Sequence, residues 1–554
     1  MNSNFYEIKQ NQSVKNFIIE FEQAIKKKKI FTAIKFNKTK KVLGVITRGD
    51  LRRLILKNTS LNKKIDKFLN LKPITIKINE LNNDLFSNLE QKSKGKIFDD
   101  ILLIDEKDKF LKILRYNEIK NNFNYKSTCV IGMGHIGLPL SIFILKKFKN
   151  VIGYDINQKK INDIKNNNLD FFEKNLQKLL ITHLKNKRLK LVNKLKDINS
   201  EVYIICIGSV IKNKKIINEN LKNLAKTLSR KIKKGDLIIL RGTVSVGTSR
   251  EIFLKYILKY TNMKNGIDFY FSFMPERLIE GDALDELEKV PQLVSGSTQK
   301  CLQVAYDYSK EIFQNVTKLE SLEEGEIIKL ASNSFRSLNF AFSNEISRIS
   351  NLYGLSGSKL INKANFGYER NNIAKPSLGV GGFCLPKDPL LFSNNSKKQS
   401  NYKLGKISNE INKEITNFFI KKFLNLLKKI EKPKILVMGL TFKGLPETLD
   451  IRNSTSLEIL KVFLKKKFQC YAYDPLGHLL NRKLKNRNFK ILSNNFDINK
   501  FDLIIIVNNH PKFFEKIENQ LKENKSHRIK YIFDTWGNID RSFVENLGWK
   551  YLNI

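Results

Sequence analysis

A glycine-rich segment that ends in a cysteine is the part of the chain whose residues could do chemistry most directly. Residues 379–388 read GVGGFCLPKD. Gly379, Gly381 and Gly382 leave this loop without side chains, so a bulky ligand could touch its backbone N–H groups. Cys384 follows at once, as a candidate nucleophile.

The prolines after this cysteine predict a helix. Pro386 and Pro389 both suit a first helical turn, where their missing N–H is no loss. Cys384 would then lie at the helix N-terminus, where the dipole favours a thiolate. Asp388, four residues on, would share its face. A glycine-rich turn before a helix with a buried thiol fits the segment equally well.

A second set of glycines predicts a dinucleotide site. A buried strand runs into GMGHIG at residues 132–137, an apolar helix follows, and a second strand ends at Asp155. In this context Gly132 makes the tight turn, Gly134 lets a pyrophosphate approach, and Gly137 allows contact between helix and strand. Asp155 would accept hydrogen bonds from the ribose hydroxyls, which favours NAD over NADP.

Later strand ends bring further polar residues to the same crevice. One strand ends at Gly208 and Ser209, and the next is followed by Thr243. Ligands of doubly wound sheets bind beyond the carboxyl ends of the strands. Glu276 and Glu280 follow another strand and could serve as general bases, although surface acids are common.

A long helix is predicted from Leu322 to about Asn351 by an apolar stripe with helical spacing. Lys329 and Asn333 lie four residues apart on one face, near that stripe, and a solvated face is the plain alternative. A helix of this length tends to pack against a partner, so we expect a homodimer or a higher homo-oligomer.

The C-terminal part predicts a second parallel α/β layer. A strand runs into GLTFKG at residues 439–444, and DIRNS follows at 450–454. Lys443 and Arg452 would lie where an anionic ligand could meet the strand ends.

Composition narrows the class of protein. The chain has 554 residues, 41% of them hydrophobic, and no apolar run approaches the roughly 18 residues of a membrane span. The N-terminus has no signal-peptide core and the five cysteines form no CxxC pair, so we expect a cytoplasmic protein without a metal site. The formal net charge is +46, but the lysines are spread over every region, which argues against nucleic-acid binding.

The first 122 residues contain a weak repeat with an offset of 68 residues. KVLGVITRGDL at 41–51 corresponds to KFLKILRYNEI at 109–119. Each copy predicts a strand, a polar turn, a second strand and a helix start. The pattern resembles a cystathionine-β-synthase-type (CBS) domain pair, which commonly binds adenine nucleotides. Thr47 and Asp50 match the usual phosphate and ribose positions, whereas Arg115 and Glu118 replace them in the second copy. A structural or dimerising pair without a ligand is the alternative.

Ordered motifs over residues 125–540 carry a second resemblance. They are GMGHIG with Asp155, RGTVSVG, MPERLIEG, KLASNSF, GVGGFCLPKD, GLTFKG and DIRNS. Together they resemble the nucleotide-sugar 6-dehydrogenases, which include UDP-glucose, UDP-N-acetylhexosamine and GDP-mannose dehydrogenases. One departure is Ser209, in a loop where the family often has Thr-Pro.

The expected fold is α/β, with two Rossmann-like doubly wound domains joined by a long central helix, plus an N-terminal α+β CBS pair. The expected domains are the CBS pair at 1–122, an NAD-binding domain at 124–320, a central dimerisation domain with the cysteine loop at 321–420, and a nucleotide-sugar domain at 430–554.

The resemblance also implies roles for individual residues. Cys384 would be the nucleophile, and Lys329 and Asn333 would stabilise the developing oxyanion. Asp388 and Thr243 would position water and the sugar hydroxymethyl, and Glu276 would be the base for thioester hydrolysis. The implied cofactor set is Gly132, Gly134, His135, Ile136, Gly137, Asp155, Gly208, Ser209, Thr243, Glu280 and Arg452. The implied substrate set is Glu276, Lys329, Asn333, Arg370, Gly379, Gly381, Gly382, Phe442 and Lys443.

Within these sets His135 also fits a plain loop residue, and Arg370 would be offered across a dimer. The segments around Glu276 and at 291–296 favour UDP-N-acetylmannosamine or UDP-N-acetylglucosamine, with UDP-glucose as the second choice. The acid formed would supply a surface polysaccharide. A catalytically silent nucleotide sensor is the alternative from another class.

Overall fold

The computed structural model describes residues 5–28, 32–56, 60–78, 100–115, 125, 127–212, 215–394, 403–428, 430–481, 483–484, 488–523 and 530–554. The chain divides into two compact units, residues 1–124 and residues 125–554.

The first unit repeats one motif at the offset of 68 residues. Its strands are β1 (Tyr6–Glu7), β2 (Thr32–Phe36), β3 (Val42–Thr47), β4 (Thr75–Lys77), β5 (Asp100–Ile104) and β6 (Phe110–Arg115), and its described helices are α1 (Val14–Lys28) and α2 (Arg48–Leu56). Two three-stranded sheets result, in the orders β1-β2-β3 and β4-β5-β6. The helix expected after the second copy, from residue 116, lies outside the described residues.

The repeat extends to the turns of the two hairpins. Asn37 accepts the N–H of Lys41 at 2.8 Å, and Asp105 accepts the N–H of Lys109 at 2.8 Å. A residue with positive φ precedes each lysine, at positions 40 and 108. The same side-chain-to-backbone turn therefore closes both hairpins.

The second unit begins with an eight-stranded sheet in the order β16-β15-β14-β13-β10-β7-β8-β9. Its strands, with the separate hairpin β11-β12, are β7 (Thr128–Ile131), β8 (Val151–Tyr154), β9 (Leu189–Val192), β10 (Val202–Ile205), β11 (Val210–Lys212), β12 (Lys215–Ile217), β13 (Leu237–Leu240), β14 (Tyr270–Phe273), β15 (Gln292–Gly296) and β16 (Val316–Lys318). Its helices are α3 (Gly137–Ile144), α4 (Gln158–Lys165), α5 (Leu176–Lys185), α6 (Glu219–Leu228), α7 (Lys255–Lys259), α8 (Ala283–Lys289) and α9 (Gln299–Ile312), with a π-helical turn at Ser249–Leu254.

The central strands of this sheet are buried along their whole length, as expected of parallel strands covered by helices on both faces. From β7 the chain runs through β8 and β9 on one side and then crosses to β10 on the other side of β7. The strand order reverses there, so a crevice opens at the carboxyl ends of β7 and β10. The helix after the GMGHIG motif ends at Ile144, and the N–H groups of Lys146 and Lys147 then bond three residues back, as in a 3₁₀ turn.

A second, six-stranded parallel sheet has the order β19-β18-β17-β20-β21-β22. Its strands are β17 (Lys434–Met438), β18 (Gln469–Tyr473), β19 (Lys490–Ile491), β20 (Leu503–Ile506), β21 (Lys530–Asp534) and β22 (Trp549–Asn553). The remaining helices are α10 (Leu322–Leu352), α11 (Gly357–Asn365), α12 (Cys384–Ser393), α13 (Leu404–Leu427), α14 (Thr455–Lys465), α15 (Gly477–Leu480), α16 (Pro511–Glu523) and α17 (Arg541–Asn546). No helix in these described segments is long and apolar enough to cross a membrane.

The long helix α10 matches its predicted bounds, but it buries a different face. Half of the eight residues of the apolar stripe are exposed, including Phe335 at 61% and Phe342 at 57%. The buried face is built from small and polar residues that bond α13: Ser337 contacts Ser408 at 3.3 Å, and the Asn344 amide donates to Asn412 at 3.0 Å. Small side chains let the two helices approach closely while their polar groups pair.

Gly137 and Gly134 of the first motif differ in how much space surrounds them, so their alanine variants should differ in stability. A methyl group on Gly137 would lie 1.9 Å from the carbonyl oxygen of Gly132, whereas one on Gly134 would meet only the Lys160 ammonium, at 3.7 Å. We predict that Gly137→Ala destabilises the ligand-free protein by roughly 1–3 kcal/mol. Gly134→Ala, the matched control, should unfold at the wild-type temperature. Equal thermal midpoints for the two variants would contradict this account.

Candidate active site

The cysteine helix α12 begins where the sequence predicts, at Cys384. Pro386 lies in its first turn, as expected. Pro389 does not, because it lies inside the helix, one turn further on. The side chain of Cys384 is accessible to solvent, as a nucleophile requires, whereas Asp388 on the next turn is fully buried.

The glycines of the cysteine loop are packed closely against the rest of the protein. A methyl group on Gly379 would lie 2.4 Å from the hydroxyl of Thr416, and one on Gly382 would lie 2.9 Å from the ring of Phe442. The N–H of Gly382 already donates to the carbonyl of Arg452 at 2.9 Å. The protein's own packing therefore requires these glycines.

Four predicted catalytic side chains form two buried pairs, and one of the four, Asp388, lies on the cysteine helix itself. The amide of Asn333 donates to Asp388 at 2.6 Å, and the ammonium of Lys329 lies 3.4 Å from the carboxylate of Glu276. Lys329 is 5% exposed and Asn333 is 8% exposed, so the solvated-face alternative is wrong. Lys387 also approaches Asp388, at 3.3 Å.

The charges of these two pairs affect the cysteine. Although part of Cys384 is exposed, the protein around its thiol desolvates it and raises its pKa, Asp388 raises the pKa further, and Lys329 opposes them, so that the pKa reaches about 11. Desolvation and the Asp388 carboxylate therefore act against the thiolate that the helix dipole favours. Burial alone would lower the pKa of Lys329, but Glu276, Asp388 and Cys384 outweigh it, so the pKa is raised and the lysine stays charged.

The first glycine motif forms a turn that is held by Asp155. Gly132 has φ +97° and donates its N–H to the carbonyl of Tyr154 at 2.7 Å. Asp155 accepts the N–H of Met133 at 3.0 Å. The open space above Gly134 leaves room for a phosphate to reach the backbone.

The two strand-end loops beside this turn contact each other. A methyl group on Gly208 would lie 2.2 Å from the carbonyl oxygen of Thr243, and the same oxygen accepts the N–H of Ser209 at 2.9 Å. The close approach of the two backbones is what requires glycine at 208. Thr243 itself stays half-buried at the crevice.

His135 is more than a plain loop residue. Its Nδ1 lies 3.1 Å from the carboxylate of Glu280, which also accepts the hydroxyl of Thr448 at 2.6 Å. Burial alone would raise the pKa of Glu280, but His135, Thr448 and Arg452 outweigh burial and lower it to about 2. Glu280 thus joins the cofactor-side layer to the C-terminal layer as a permanent anion.

The predicted anion-binding cations are already engaged. The ammonium of Lys443 donates to the backbone carbonyl of Glu280 at 2.6 Å, and burial lowers its pKa. Arg452 forms a bidentate pair with Asp450, at 2.8 and 2.7 Å, and its guanidinium lies 4.5 Å from the ring centre of Phe383.

Arg370 is the predicted site residue that the structure does not bring to the crevice. It is exposed in the loop after α11, and its guanidinium lies over the ring of Tyr368 at 4.6 Å. Within the described part of the chain, no hydrogen bond or ion pair joins Arg370 to another predicted site residue.

Three domains of one family match the chain in order. They are the NAD binding domain at residues 126–317, the central domain at 323–414 and the UDP binding domain at 436–541 of the UDP-glucose/GDP-mannose dehydrogenase family. The chain belongs to this family. It is an NAD-dependent nucleotide-sugar dehydrogenase.

The similar relatives include UDP-N-acetyl-D-mannosamine dehydrogenases. The protein from Campylobacter jejuni is 31% identical over 407 residues, which cover 71% of this chain and 97% of the relative. That from Pyrococcus horikoshii is 29% identical over 410 residues, 73% of this chain and 94% of the relative.

Solved structures agree with this assignment. The structure of the Pyrococcus horikoshii UDP-D-ManNAc dehydrogenase superposes with a TM-score of 0.67 at 27% identity, covering 77% of this chain and 99% of that one. The Cap5O UDP-N-acetyl-mannosamine dehydrogenase of Staphylococcus aureus gives 0.63 at 25%, covering 77% and 98%.

Two carboxylates that position family motifs were not among the predicted site residues. Glu326, fully buried on α10, accepts the N–H groups of Gly247 and Ser249 at 2.5 and 2.8 Å, and burial raises its pKa to about 7. Asp474 ends β18 and accepts the N–H of Leu440 at 2.8 Å, as Asp155 does for Met133. The repeated Tyr-Asp after the second strand of each layer was a signal for Asp474.

The raised pKa of Cys384 gives a pH prediction for the free enzyme. With a pKa of about 11, about one thiol in a thousand is ionised at pH 8. We predict that the rate constant for alkylation of Cys384 by iodoacetamide rises about tenfold per pH unit from pH 7 to 9.5. Peptide mass spectrometry measures this rate, and Cys384→Ser gives the background from the other cysteines. A rate that levels off below pH 8 would show a thiolate instead.

Proposed function

We propose that this family member oxidises the C6 hydroxymethyl of UDP-N-acetylmannosamine to a carboxylate, using Cys384 as a covalent nucleophile. The observation that carries the proposal is the two buried pairs, Asn333 with Asp388 and Lys329 with Glu276, whose charges act on the thiol of Cys384. UDP-N-acetylmannosamine is favoured because the similar relatives carry that name. UDP-N-acetylglucosamine and UDP-glucose are the alternatives.

A primary alcohol becomes an acid by two oxidations, and the aldehyde between them must not escape. NAD, when bound, takes one hydride in each oxidation. Its glycine turn at 132–137, with His135 and Ile136, and the carboxylate of Asp155 would hold it, and Ser209 and Thr243 border the same crevice. The thiol of Cys384 adds to the aldehyde carbon: the C–S bond forms, the π electrons of the carbonyl move to its oxygen, and the thiol proton leaves to solvent, so that the oxyanion of a thiohemiacetal forms.

Lys329 and Asn333 stabilise the oxygen of this adduct when it carries negative charge, because both are buried donors in a site with little water. The second oxidation leaves a thioester on Cys384. Glu276 then takes a proton from the attacking water, the C–S bond breaks, and the thiol recovers a proton. Asp388 and Thr243 position that water and, earlier, the sugar hydroxymethyl.

The C-terminal layer would bind the nucleotide. Phe442 and Lys443 meet the UDP-sugar, Arg452 reaches toward the cofactor, and Glu280 borders it. The exposed half of the apolar stripe on α10 supports a homodimer or a higher homo-oligomer, in which a second copy could supply Arg370. The product would serve as a precursor of a surface polysaccharide.

We further propose the domain limits 1–122, 124–320, 321–420 and 430–554, with the first segment a CBS pair. The repeated hairpins support it, as does the pairing of Thr47 with Asp50: the Asp50 carboxylate accepts the Thr47 N–H at 2.9 Å and its hydroxyl at 2.7 Å. An adenine nucleotide would bind at this first copy.

The function is tested by counting NADH against a panel of nucleotide sugars. We predict two NADH per sugar, no free aldehyde, and the highest kcat/KM for UDP-N-acetylmannosamine. Cys384→Ser should bind NAD normally but form no acid, because a serine hydroxyl traps and releases the acyl group poorly. One NADH per sugar with accumulating aldehyde would show a simple alcohol dehydrogenase instead.

The same assay with added AMP or ATP examines the first unit. A changed sugar KM that disappears in Asp50→Ala supports a regulatory CBS pair. Unchanged kinetics, with no nucleotide binding by calorimetry, would leave a docking or dimerising unit.

A further inference from the structure

The cysteine loop is held by two consecutive residues of the C-terminal layer. The N–H of Gly382 donates to the carbonyl of Arg452 at 2.9 Å, and the side-chain amide of Asn453 donates to the carbonyl of Gly382 at 2.8 Å. Both polar groups of Gly382 are thus bound from the same side. Gly382 lies two residues before Cys384, so this contact fixes where the cysteine helix begins.

The backbones at this contact touch. A methyl group on Gly381 would lie 2.8 Å from the carbonyl oxygen of Asn453 and 2.9 Å from Cβ of Phe442. Gly382 has φ +82°, which other residues rarely adopt. No side chain separates the loop from the turn that holds it, and the two must move together.

Asn453 does more than shape this turn. The N–H of Ser454 donates to the carbonyl of Ile451 at 3.2 Å, which closes a four-residue turn with Asn453 in third place at φ +51°. Glycine is the residue most suited to that position, and asparagine tolerates it. Unlike glycine, asparagine has a side-chain amide, which here donates a hydrogen bond to the carbonyl of Gly382.

We propose that Asn453 is a positioning residue, which holds the cysteine loop so that Cys384 captures the aldehyde before it can leave. This rests on the proposed covalent function. The carbonyl of Arg452 and the amide of Asn453, which together we call the clamp, belong to the domain that also carries Phe442 and Lys443. Phe442 packs on Gly381 and Gly382 as well. A nucleotide sugar bound to that domain would therefore meet a thiol already in register with its C6 carbon.

Asn453→Gly tests the clamp, because it keeps the turn and removes only the amide. We expect its thermal midpoint to equal that of the wild type, since Asn453 is exposed. The NADH count should fall below two per sugar, with free aldehyde detected by a hydroxylamine trap. Losing one net hydrogen bond should lower the rate of acid formation about threefold to tenfold. Asn453→Asp, which places a carboxylate against the Gly382 carbonyl, should show a larger loss.

A readout without substrate keeps the clamp testable even if the proposed function is wrong. We expect iodoacetamide to alkylate Cys384 about threefold faster or more in Asn453→Gly at pH 8, because the freed loop moves the thiol away from Asp388. Asn394→Gly is the matched control: it removes an exposed amide that donates to the Leu390 carbonyl at 2.8 Å, at the other end of the same helix.

The outcomes separate the two ideas. If only the turn matters, Asn453→Gly will keep wild-type alkylation and two NADH per sugar, and the clamp is overturned. If the wild type itself yields one NADH per sugar, the proposed function fails. The alkylation rates then still decide whether Asn453 holds the loop.

Discussion

The ion pair between Lys329 and Glu276 is the contact on which the rest of the site depends. Both side chains are buried, and their charged atoms lie 3.4 Å apart. Removing either partner of such a pair leaves a buried charge uncompensated, which typically costs about 3–5 kcal/mol. The pair joins α10 to the segment after β14, and Asn333, one turn on, carries the same restraint to Asp388 and the cysteine helix.

The two layers share one device for shaping their ligand loops. In each, a glycine with positive φ follows the first strand, and an aspartate at the end of the second strand accepts the next backbone N–H: Gly132 with Asp155, and Gly439 with Asp474. Glu280 links the two layers: its carboxylate accepts the hydroxyl of Thr448, and its backbone carbonyl accepts the ammonium of Lys443. The cysteine loop rests on the same C-terminal layer, so nucleotide recognition and the thiol share one support.

Much of the fold could be predicted from the sequence, because the spacing of strands, glycines and acidic residues reflects the backbone conformation that each turn requires. The bounds of α10 and the start of α12 followed from such patterns. The face that α10 buries could not be predicted in this way, since half of its apolar stripe is exposed and its polar face pairs with α13. The pKa of Cys384 and the packing around the loop glycines depend on side chains far away in the sequence, such as Lys329 and Phe442. The spacing of residues along the chain does not predict where such side chains lie.

The central claim is that Cys384 carries the substrate as a thioester which Glu276 helps to hydrolyse. Glu276→Gln keeps the shape of the side chain and removes the base. Because it also leaves Lys329 without this partner, the thermal midpoint of the variant is measured first to show that it is folded. Mixed with NAD and UDP-N-acetylmannosamine, this variant should release a burst of two NADH per site. Mass spectrometry should then find the whole nucleotide sugar, less four hydrogens, attached to the peptide that contains Cys384. A burst without an adduct on that peptide, or an adduct on another residue, would contradict the account.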